Sequence, residues 1–206
     1  MRTLSILVER FGELVKFGFM PPSSQGMQNR WRRRFVWNSI MQYGTCSSGR
    51  ALEIGVYKAG STVLVAEACL KKGIREIWGI DLFTGKLSSG TQGDTYRDAM
   101  ERLRKYHLTE YVTLIRSNSL DANWDKPLDV LFIDADHTYP YVSGEIRKYT
   151  PYLTVGGIVI FDDYNDYRTE GVWKAVNEFI QGNQNFEVVS AHFEKGEGMI
   201  TIKRNI

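Results

Sequence analysis

The sequence predicts an α/β protein with a doubly wound, mainly parallel sheet that ends in an antiparallel hairpin. Short apolar runs alternate along the chain with longer segments of helical periodicity. The runs are apolar almost throughout rather than at alternate positions, which is typical of parallel strands buried on both faces. Near the end of the chain only Glu194–Gly198 separates two apolar runs, and that spacing suits a hairpin.

Each predicted element has a local reason. Residues 1–45 favour helix because apolar side chains recur at helical spacing from Leu4 to Leu14. A Pro-Pro pair interrupts this segment, and a second helix is predicted from about Gln28 to Gln42. The predicted strands are Ala51–Val56, Ile77–Leu82, Val112–Arg116, Val130–Asp134 and Ile158–Phe161. The predicted helices between and after them are Ser61–Lys72, Asp94–Tyr106, Tyr141–Leu153 and Gly171–Ile180. The hairpin strands are Glu187–Phe193 and Met199–Lys203.

Length and composition favour a single domain. The 206 residues divide into an N-terminal helical segment, 1–45, and a core, 46–206. Hydrophobic residues make up 43% of the chain and the net charge is +2, so charge selects no partner. Acidic and basic residues break the first apolar stretch, and no run reaches membrane-spanning length. We therefore expect a cytoplasmic protein without a membrane partner.

The segment Arg30–Arg34 is basic, with arginine at every position except Trp31. Such a cluster can contact phosphates or an acidic substrate, but a few arginines are a weak electrostatic footprint. We predict instead a solvated helix face with Trp31 and Phe35 turned inward, and nucleic acid is not an expected partner.

The first two predicted strands end in residues suited to a nucleoside ligand. Gly55 and Gly60 bracket a turn between strand and helix, where a missing Cβ allows close approach to the backbone. The loop matches neither a dinucleotide fingerprint nor a phosphate loop. Asp81 ends the second strand, where a carboxylate can accept hydrogen bonds from ribose hydroxyls. An isolated aspartate there is also a common turn cap. Its place beside the turn from Gly55 to Gly60, the glycine loop, nevertheless favours ligand binding.

Acidic residues follow the next two strands. Asp134 ends the fourth strand, and Asp162 and Asp163 follow the fifth, so all three are expected at one sheet edge. Converging carboxylates repel one another unless a positive group lies between them, and Mg²⁺ is a hard cation that prefers oxygen ligands. The alternative is that Asp162 and Asp163 cap a turn. His137 follows Asp134 by three positions and is predicted either as a general base or as a structural residue.

Taken in order, these motifs resemble class I S-adenosylmethionine (AdoMet)-dependent methyltransferases. Within that group the acidic cluster is similar to that of metal-dependent O-methyltransferases, including the catechol and macrolide-sugar (macrocin-type) enzymes. The resemblance implies a Rossmann-like sheet of seven strands, the last of them antiparallel. The segments that resemble the family are Glu53–Ser61, Asp81, Ser117–Ser119, Phe132–Tyr139 and Gly156–Tyr164.

The resemblance also implies roles for individual residues. The AdoMet-binding residues would be Glu53, Gly55, Gly60, Ser61, Asp81, Ser119 and Asp134. The Mg²⁺ ligands would be Asp134, Asp162 and Asp163. His137 would be the general base, beside an acceptor that Asp134 helps to position. The chain has Ser117-Asn118-Ser119 where the family often has Gly-Asp-Ser, so the adenine contact of Ser119 departs from the usual motif.

The predicted function is therefore AdoMet-dependent O-methylation of a small molecule, such as a sugar, polyketide or phenolic natural product, with help from Mg²⁺. Three alternatives are open. They are a cephalosporin-hydroxylase-like enzyme on the same scaffold, a methyltransferase of another acceptor class such as RNA, and a non-catalytic nucleoside-binding module. A homo-oligomer formed through the N-terminal helices is also expected.

Overall fold

The computed structural model describes residues 30–86, 92–165 and 168–206. The predicted helix around Leu4–Leu14 lies outside the described residues. The second predicted helix is observed as α1, Arg30–Tyr43. The remaining helices are α2 (Gly60–Lys72), α3 (Tyr96–Lys105), α4 (Tyr139–Tyr149) and α5 (Glu170–Gly182). The strands are β1 (Arg50–Ile54), β2 (Glu76–Asp81), β3 (Thr84–Lys86), β4 (Gln92–Asp94), β5 (Val112–Arg116), β6 (Leu128–Ile133), β7 (Leu153–Phe161), β8 (Phe186–Glu194) and β9 (Glu197–Arg204).

The main sheet has seven strands in the order β5-β2-β1-β6-β7-β9-β8. The five strands from β5 to β7 are parallel, whereas β9 runs antiparallel to β7 and to β8. The predicted fold class, including the antiparallel hairpin, is confirmed. From β1 the chain first adds β2 and β5 on one side, and it then returns to add β6 and β7 on the other side. The topological switch point, where the strand order reverses, therefore lies between β1 and β6. Ligands bind at such a point, outside the carboxyl ends of the strands.

Helices cover both faces of this sheet. One core joins α1, α2 and α3 to the sheet, and the other joins α4 and α5 to its opposite face. The strand residues between the two cores are apolar on both sides, which explains the near-continuous apolar runs in the sequence. None of the described helices is long and apolar enough to cross a membrane.

Most element boundaries differ from the prediction by one or two residues, β7 begins five residues earlier than predicted, and two helices differ for a local reason. The helix predicted from Asp94 begins at Tyr96, because Gln92–Asp94 pairs with Thr84–Lys86 as a two-stranded ribbon. The helix predicted to reach Leu153 ends at Tyr149 and continues as a short 3₁₀ turn. Pro151 lies in that turn and lacks the amide hydrogen that an α-helix requires.

Helix α1 packs on the sheet through its own apolar side. Phe35, Val36 and Ile40 are buried, and the Ser39 hydroxyl lies 2.8 Å from the Thr201 hydroxyl of β9. This docking directs the side chain of Arg32 towards the carboxyl edge of the sheet.

Candidate active site

A cleft of about 350 Å³ opens at the carboxyl edge, beside the switch point. Its walls come from the segments that follow β1, β2, β5 and β6. Four of the predicted AdoMet-binding residues line it, namely Gly55, Asp81, Ser119 and Asp134. The other three, Glu53, Gly60 and Ser61, are not part of its lining. The sequence therefore located the cleft but not every residue of its wall.

Gly55 is required by the approach of two strand ends. Its φ angle is +94°, and a Cβ atom there would lie 1.9 Å from the carbonyl oxygen of Asp134. No side chain fits in that space, whatever the ligand. The missing Cβ thus allows the backbones after β1 and β6 to meet, and the close approach to a ligand remains a prediction.

Asp81 fastens the glycine loop to the end of β2. Its Oδ2 accepts hydrogen bonds from the backbone amides of Val56 and Tyr57, each at 2.8 Å. Its Oδ1 accepts one from the amide of Phe83 at 2.5 Å. A carboxylate has about four acceptor positions, so room for one further donor remains on Oδ1. Asp81 is therefore both a turn organiser and a candidate ribose acceptor.

Glu53 lies beneath the loop and is fully buried. Burial raises its pKa to about 7, and the nearby hydroxyls of Ser61 and Thr62 act in the opposite direction. These two hydroxyls belong to the first turn of α2. Glu53 thus lies between the end of β1 and the start of the helix that follows the loop.

The cleft wall also contains a residue that sequence reasoning missed. The hydroxyl of Ser119 donates a hydrogen bond of 2.6 Å to Oε1 of Glu145, which is wholly buried and lines the cleft. Glu145 projects from α4 between Val142 and Ile146, two residues of the adjoining core. The available signal was an acidic residue on the apolar side of an amphipathic helix.

The acidic cluster forms around a buried arginine. Nη1 of Arg32 contacts Oδ1 of Asp162, and Nη2 lies 2.7 Å from Oδ1 of Asp163 and 3.1 Å from Oε2 of Glu197. Burial alone would lower the pKa of Arg32, but the two aspartates raise it above the usual range. A guanidinium group therefore supplies part of the positive charge that these carboxylates need.

This arrangement corrects the prediction for the basic segment. Phe35 faces inward as expected, but Arg32 is only 9% exposed and is not part of a solvated face. Trp31 packs against the ring of His192 on β8, with 5.0 Å between ring centroids. The charge of Arg32 is stabilised by residues more than 100 positions away in sequence, so its pairing could not be read from local pattern.

Asp134, His137 and Asp163 approach one another on the open side of the cluster. One ligand atom from each lies within 4.8 Å of the others. Nε2 of His137 is 3.1 Å from Oδ2 of Asp163, the oxygen that Arg32 does not contact. Asp162 does not belong to this group, because its Oδ1 contacts Arg32 and also accepts the amide hydrogen of Asp163.

The electrostatics of the cluster favour an additional cation. Burial and the nearby charges of Asp162 and Asp163 hold the pKa of Asp134 well above its usual range. Burial also raises the pKa of Asp162, to about 6, although Arg32 opposes the shift. Arg32 does not neutralise the cluster fully, and Asp134 is the carboxylate left with the least compensation.

The loop that contains His137 is held in place by α5. A Cβ atom on Gly171, the second residue of that helix, would lie 2.4 Å from the carbonyl oxygen of His137 and 2.4 Å from the amide nitrogen of Tyr139. Only glycine permits this contact. Gly171 was predicted as a helix residue, and its role in positioning His137 is visible only in the structure.

Comparison with known proteins identifies a matching family and a viral relative. Residues 52–164 match the profile of a family described as a methyltransferase domain. An uncharacterised protein of Acanthamoeba polyphaga mimivirus is 28% identical over 155 residues. That match spans 68% of this chain and 66% of the viral protein, so about a third of the viral protein lies outside it.

Solved structures share the fold at low sequence identity. An O-methyltransferase from Bacillus cereus, bound to S-adenosylhomocysteine, has a TM-score of 0.63 and 18% identity, covering 100% of this chain and 91% of its own. TomG, a Streptomyces achromogenes O-methyltransferase bound to AdoMet, has a TM-score of 0.61 and 16% identity, covering 89% of this chain and 88% of its own. An rRNA methylase from Streptococcus thermophilus has a TM-score of 0.60 and 14% identity, covering 87% of this chain and 99% of its own.

Proposed function

Because the chain belongs to the methyltransferase-domain family, and is an AdoMet-dependent methyltransferase, we propose that it methylates a hydroxyl oxygen of a small molecule with the help of a divalent cation. The observation that supports this most is the group formed by Asp134, His137 and Asp163 at the edge of the cofactor cleft. It combines two carboxylates for a cation with a histidine that can accept a proton.

The cofactor would lie along the cleft with its adenosine between Asp81 and Ser119. AdoMet carries a sulfonium and an ammonium group, and acidic side chains of the wall complement these positive charges. At the other end of the cleft, Asp134 would face the methyl group. Alignment of the acceptor oxygen with the sulfur–methyl bond accounts for much of the rate enhancement in such a reaction.

The residues present fit a divalent cation. Asp134, His137 and Asp163 each offer one ligand atom, and these atoms lie within 4.8 Å of one another, a spacing and a donor set that suit a divalent cation. Asp134 and Asp163 would hold it, with His137 within reach, whereas Asp162 would stay behind in its ion pair with Arg32. We therefore propose Asp162 as a supporting residue rather than a direct ligand.

A bound divalent cation would polarise and orient the acceptor hydroxyl. His137 would accept the hydroxyl proton at Nε2, and the neighbouring Oδ2 of Asp163 would stabilise the resulting imidazolium. The acceptor oxygen forms a bond to the methyl carbon as the bond from that carbon to sulfur breaks. The products are the methyl ether, S-adenosylhomocysteine and a proton held by His137.

The contacts of the basic segment Arg30–Arg34 favour a small-molecule acceptor over RNA. Arg32 is committed to carboxylates and cannot contact phosphate while those ion pairs persist. Small-molecule and RNA acceptors can be distinguished by experiment, because RNA binding would require the exposed Arg30 and neighbouring cations to contact phosphates. The apolar residues of α1 pack inside the chain, so a homo-oligomer would have to use another part of the N-terminal segment.

The test is methyl transfer to a panel of hydroxyl-bearing small molecules and to RNA, with products identified by mass spectrometry. Excess chelator should abolish turnover, Mg²⁺ or Mn²⁺ should restore it, and AdoMet binding should persist throughout. Replacing His137 with alanine should lower kcat by roughly 10²–10⁴, with little change in affinity for AdoMet.

The exposed His192 provides a matched control, and His192→Ala should leave kcat unchanged. Full activity in excess chelator would exclude the cation. Loss of metal affinity in His137→Ala would make His137 a ligand and would favour Fe²⁺ or Zn²⁺ over Mg²⁺, since imidazole suits those ions better. A hydroxylated product would favour the hydroxylase-like alternative, and AdoMet binding without any turnover would favour a binding module.

A further inference from the structure

Glu145 has one carboxyl oxygen with a partner and one without. Oε1 accepts the hydrogen bond from Ser119 at 2.6 Å. Oε2 is buried and has no hydrogen-bond partner among the residues that the structure describes. The side chain nevertheless lines the cleft, together with Asn118 and its partner Ser119. The unsatisfied oxygen therefore belongs to a residue of the cleft wall.

Helix α4 prevents this carboxyl group from turning to solvent. Val142 and Ile146, on either side of Glu145, are buried in the core that joins α4 to the sheet. Tyr149, one turn further on, is also buried and its hydroxyl donates a hydrogen bond to the carbonyl oxygen of Ser119. A buried polar atom held without a partner is costly, and most such atoms in native proteins have one.

The nearby polar side chains are already engaged. The Ser119 hydroxyl is used by Oε1 of Glu145, and the side-chain amide of Asn118 donates to the hydroxyl of Tyr141 at 3.1 Å. The side-chain oxygen of Asn118 accepts the amide hydrogen of Leu120 at 2.8 Å. Among the described residues none donates to Oε2, so a molecule bound in the cleft can supply the donor.

We propose that Glu145 is the residue that selects adenine, by accepting a hydrogen bond from its exocyclic amino group at Oε2. This proposal rests on AdoMet as the cofactor. A base with a carbonyl at the same position, such as hypoxanthine, has no hydrogen to donate there and would place two acceptors against each other. Sites that hydrogen-bond one ligand group reject analogues that lack it, because the protein group is left unpaired. Ser119 then positions Glu145 rather than reading the base itself.

The experiment is calorimetric titration with S-adenosylhomocysteine and with S-inosylhomocysteine, its hypoxanthine analogue. The wild-type protein should bind the adenine ligand at least roughly tenfold more tightly, the range expected when a buried acceptor is left without its partner. In Glu145→Gln the amide can donate to the hypoxanthine carbonyl. The preference should therefore shrink to within about threefold or reverse.

A matched control is Asp136→Asn, which removes a neighbouring carboxylate of the same cleft wall. The substituted amide oxygen can still accept the amide hydrogen of Thr138, so the fold should be kept and the wild-type preference retained. Equal affinity of the wild-type protein for both ligands would overturn the proposal without any variant. An unchanged preference in a folded Glu145→Gln protein would also overturn it. Failure of the wild-type protein to bind S-adenosylhomocysteine would instead reject the cofactor itself.

Discussion

Two acidic residues of the same strand show how the two edges of the sheet differ. Asp129 lies near the amino end of β6 and is fully buried, and Asp134 directly follows the carboxyl end. Asp129 receives hydrogen bonds from five groups, which are the amides of Ser47, Ser48 and Gly49 and the hydroxyls of Ser48 and Thr154. Within the described part of the chain, no group donates a hydrogen bond to the side chain of Asp134, and the charges that affect it most are those of further carboxylates.

The difference separates a structural acid from an acid suited to a ligand. At the amino edge the protein satisfies the carboxylate itself, and Asp129 joins the segment before β1 to β6 and β7. At the carboxyl edge the protein leaves Asp134 without donors and surrounds it with negative charge. A buried carboxylate that lacks internal partners raises the free energy of the folded state, and a cation or a proton lowers it again.

The largest expected effect concerns Arg32, the cation that distinguishes the two edges. Arg32→Met leaves Asp162, Asp163 and Glu197 without their shared partner, and loss of one partner from a buried ion pair costs roughly 3–5 kcal/mol. The free energy of unfolding, measured with urea in metal-free buffer, should fall by that amount and recover partly with Mg²⁺. The control Arg30→Met, at an exposed position of the same helix, should change stability by less than about 0.5 kcal/mol. Equal stabilities of the two variants would show that the ion pairs contribute nothing.

The second prediction tests the comparison directly with one substitution at each edge. Asp129→Asn removes charge-assisted hydrogen bonds and forces an amide group against backbone donors, so unfolding should become easier by roughly 2–4 kcal/mol. Asp134→Asn removes like-charge repulsion, so stability in metal-free buffer should stay equal or increase, while methyl transfer should fall at least about a hundredfold. Chemical denaturation measures the stability of both variants, and turnover measurements check their activity. If Asp134→Asn is destabilised as much as Asp129→Asn, the distinction between the edges is wrong.

The smallest expected effect is a pH dependence that arises at Glu53. Its pKa is raised to about 7 in the folded protein by burial, so its contribution to stability is present below about pH 4.5 and is lost as the pH rises through 7. Glu53→Gln cannot ionise and should be more stable than wild type by roughly 2–3 kcal/mol at pH 8, with no gain at pH 4. Urea denaturation at the two pH values measures this difference. A gain of the same size at both values would attribute the effect to packing rather than to charge.

The sequence predicts the fold and the edge of the sheet well, because both follow from local pattern. Apolar runs mark the strands, and in a parallel sheet the residues that follow the strands must meet at one edge. Asp81, Asp134 and Asp163 were found in this way. The position of each aspartate at this edge depends only on which strand it follows.

Other features depend on contacts between distant segments and have little or no local signal. Arg32 looks like one basic residue among several until α1 is docked on the sheet. Asp129 reads as an ordinary acidic residue, although it is buried, because burial is decided by the orientation of the whole element. Glu145 differs from its neighbours only in lying on the apolar side of its helix. Gly171 is distinctive only once α5 meets the loop of His137.

The ion pairs of Arg32 also bear on how the molecule folds. Arg32 is 130 residues from Asp162 in sequence and 165 residues from Glu197, so these contacts close some of the longest loops in the chain. Contacts of such sequence separation form late, after the local elements that they join. The acidic cluster should therefore gain its counter-charge only when β7, β9 and α1 have all assembled. By the same reasoning, transient opening of α1 would expose the cluster while the rest of the sheet remains folded, and hydrogen exchange would detect α1 as a separate, less stable unit.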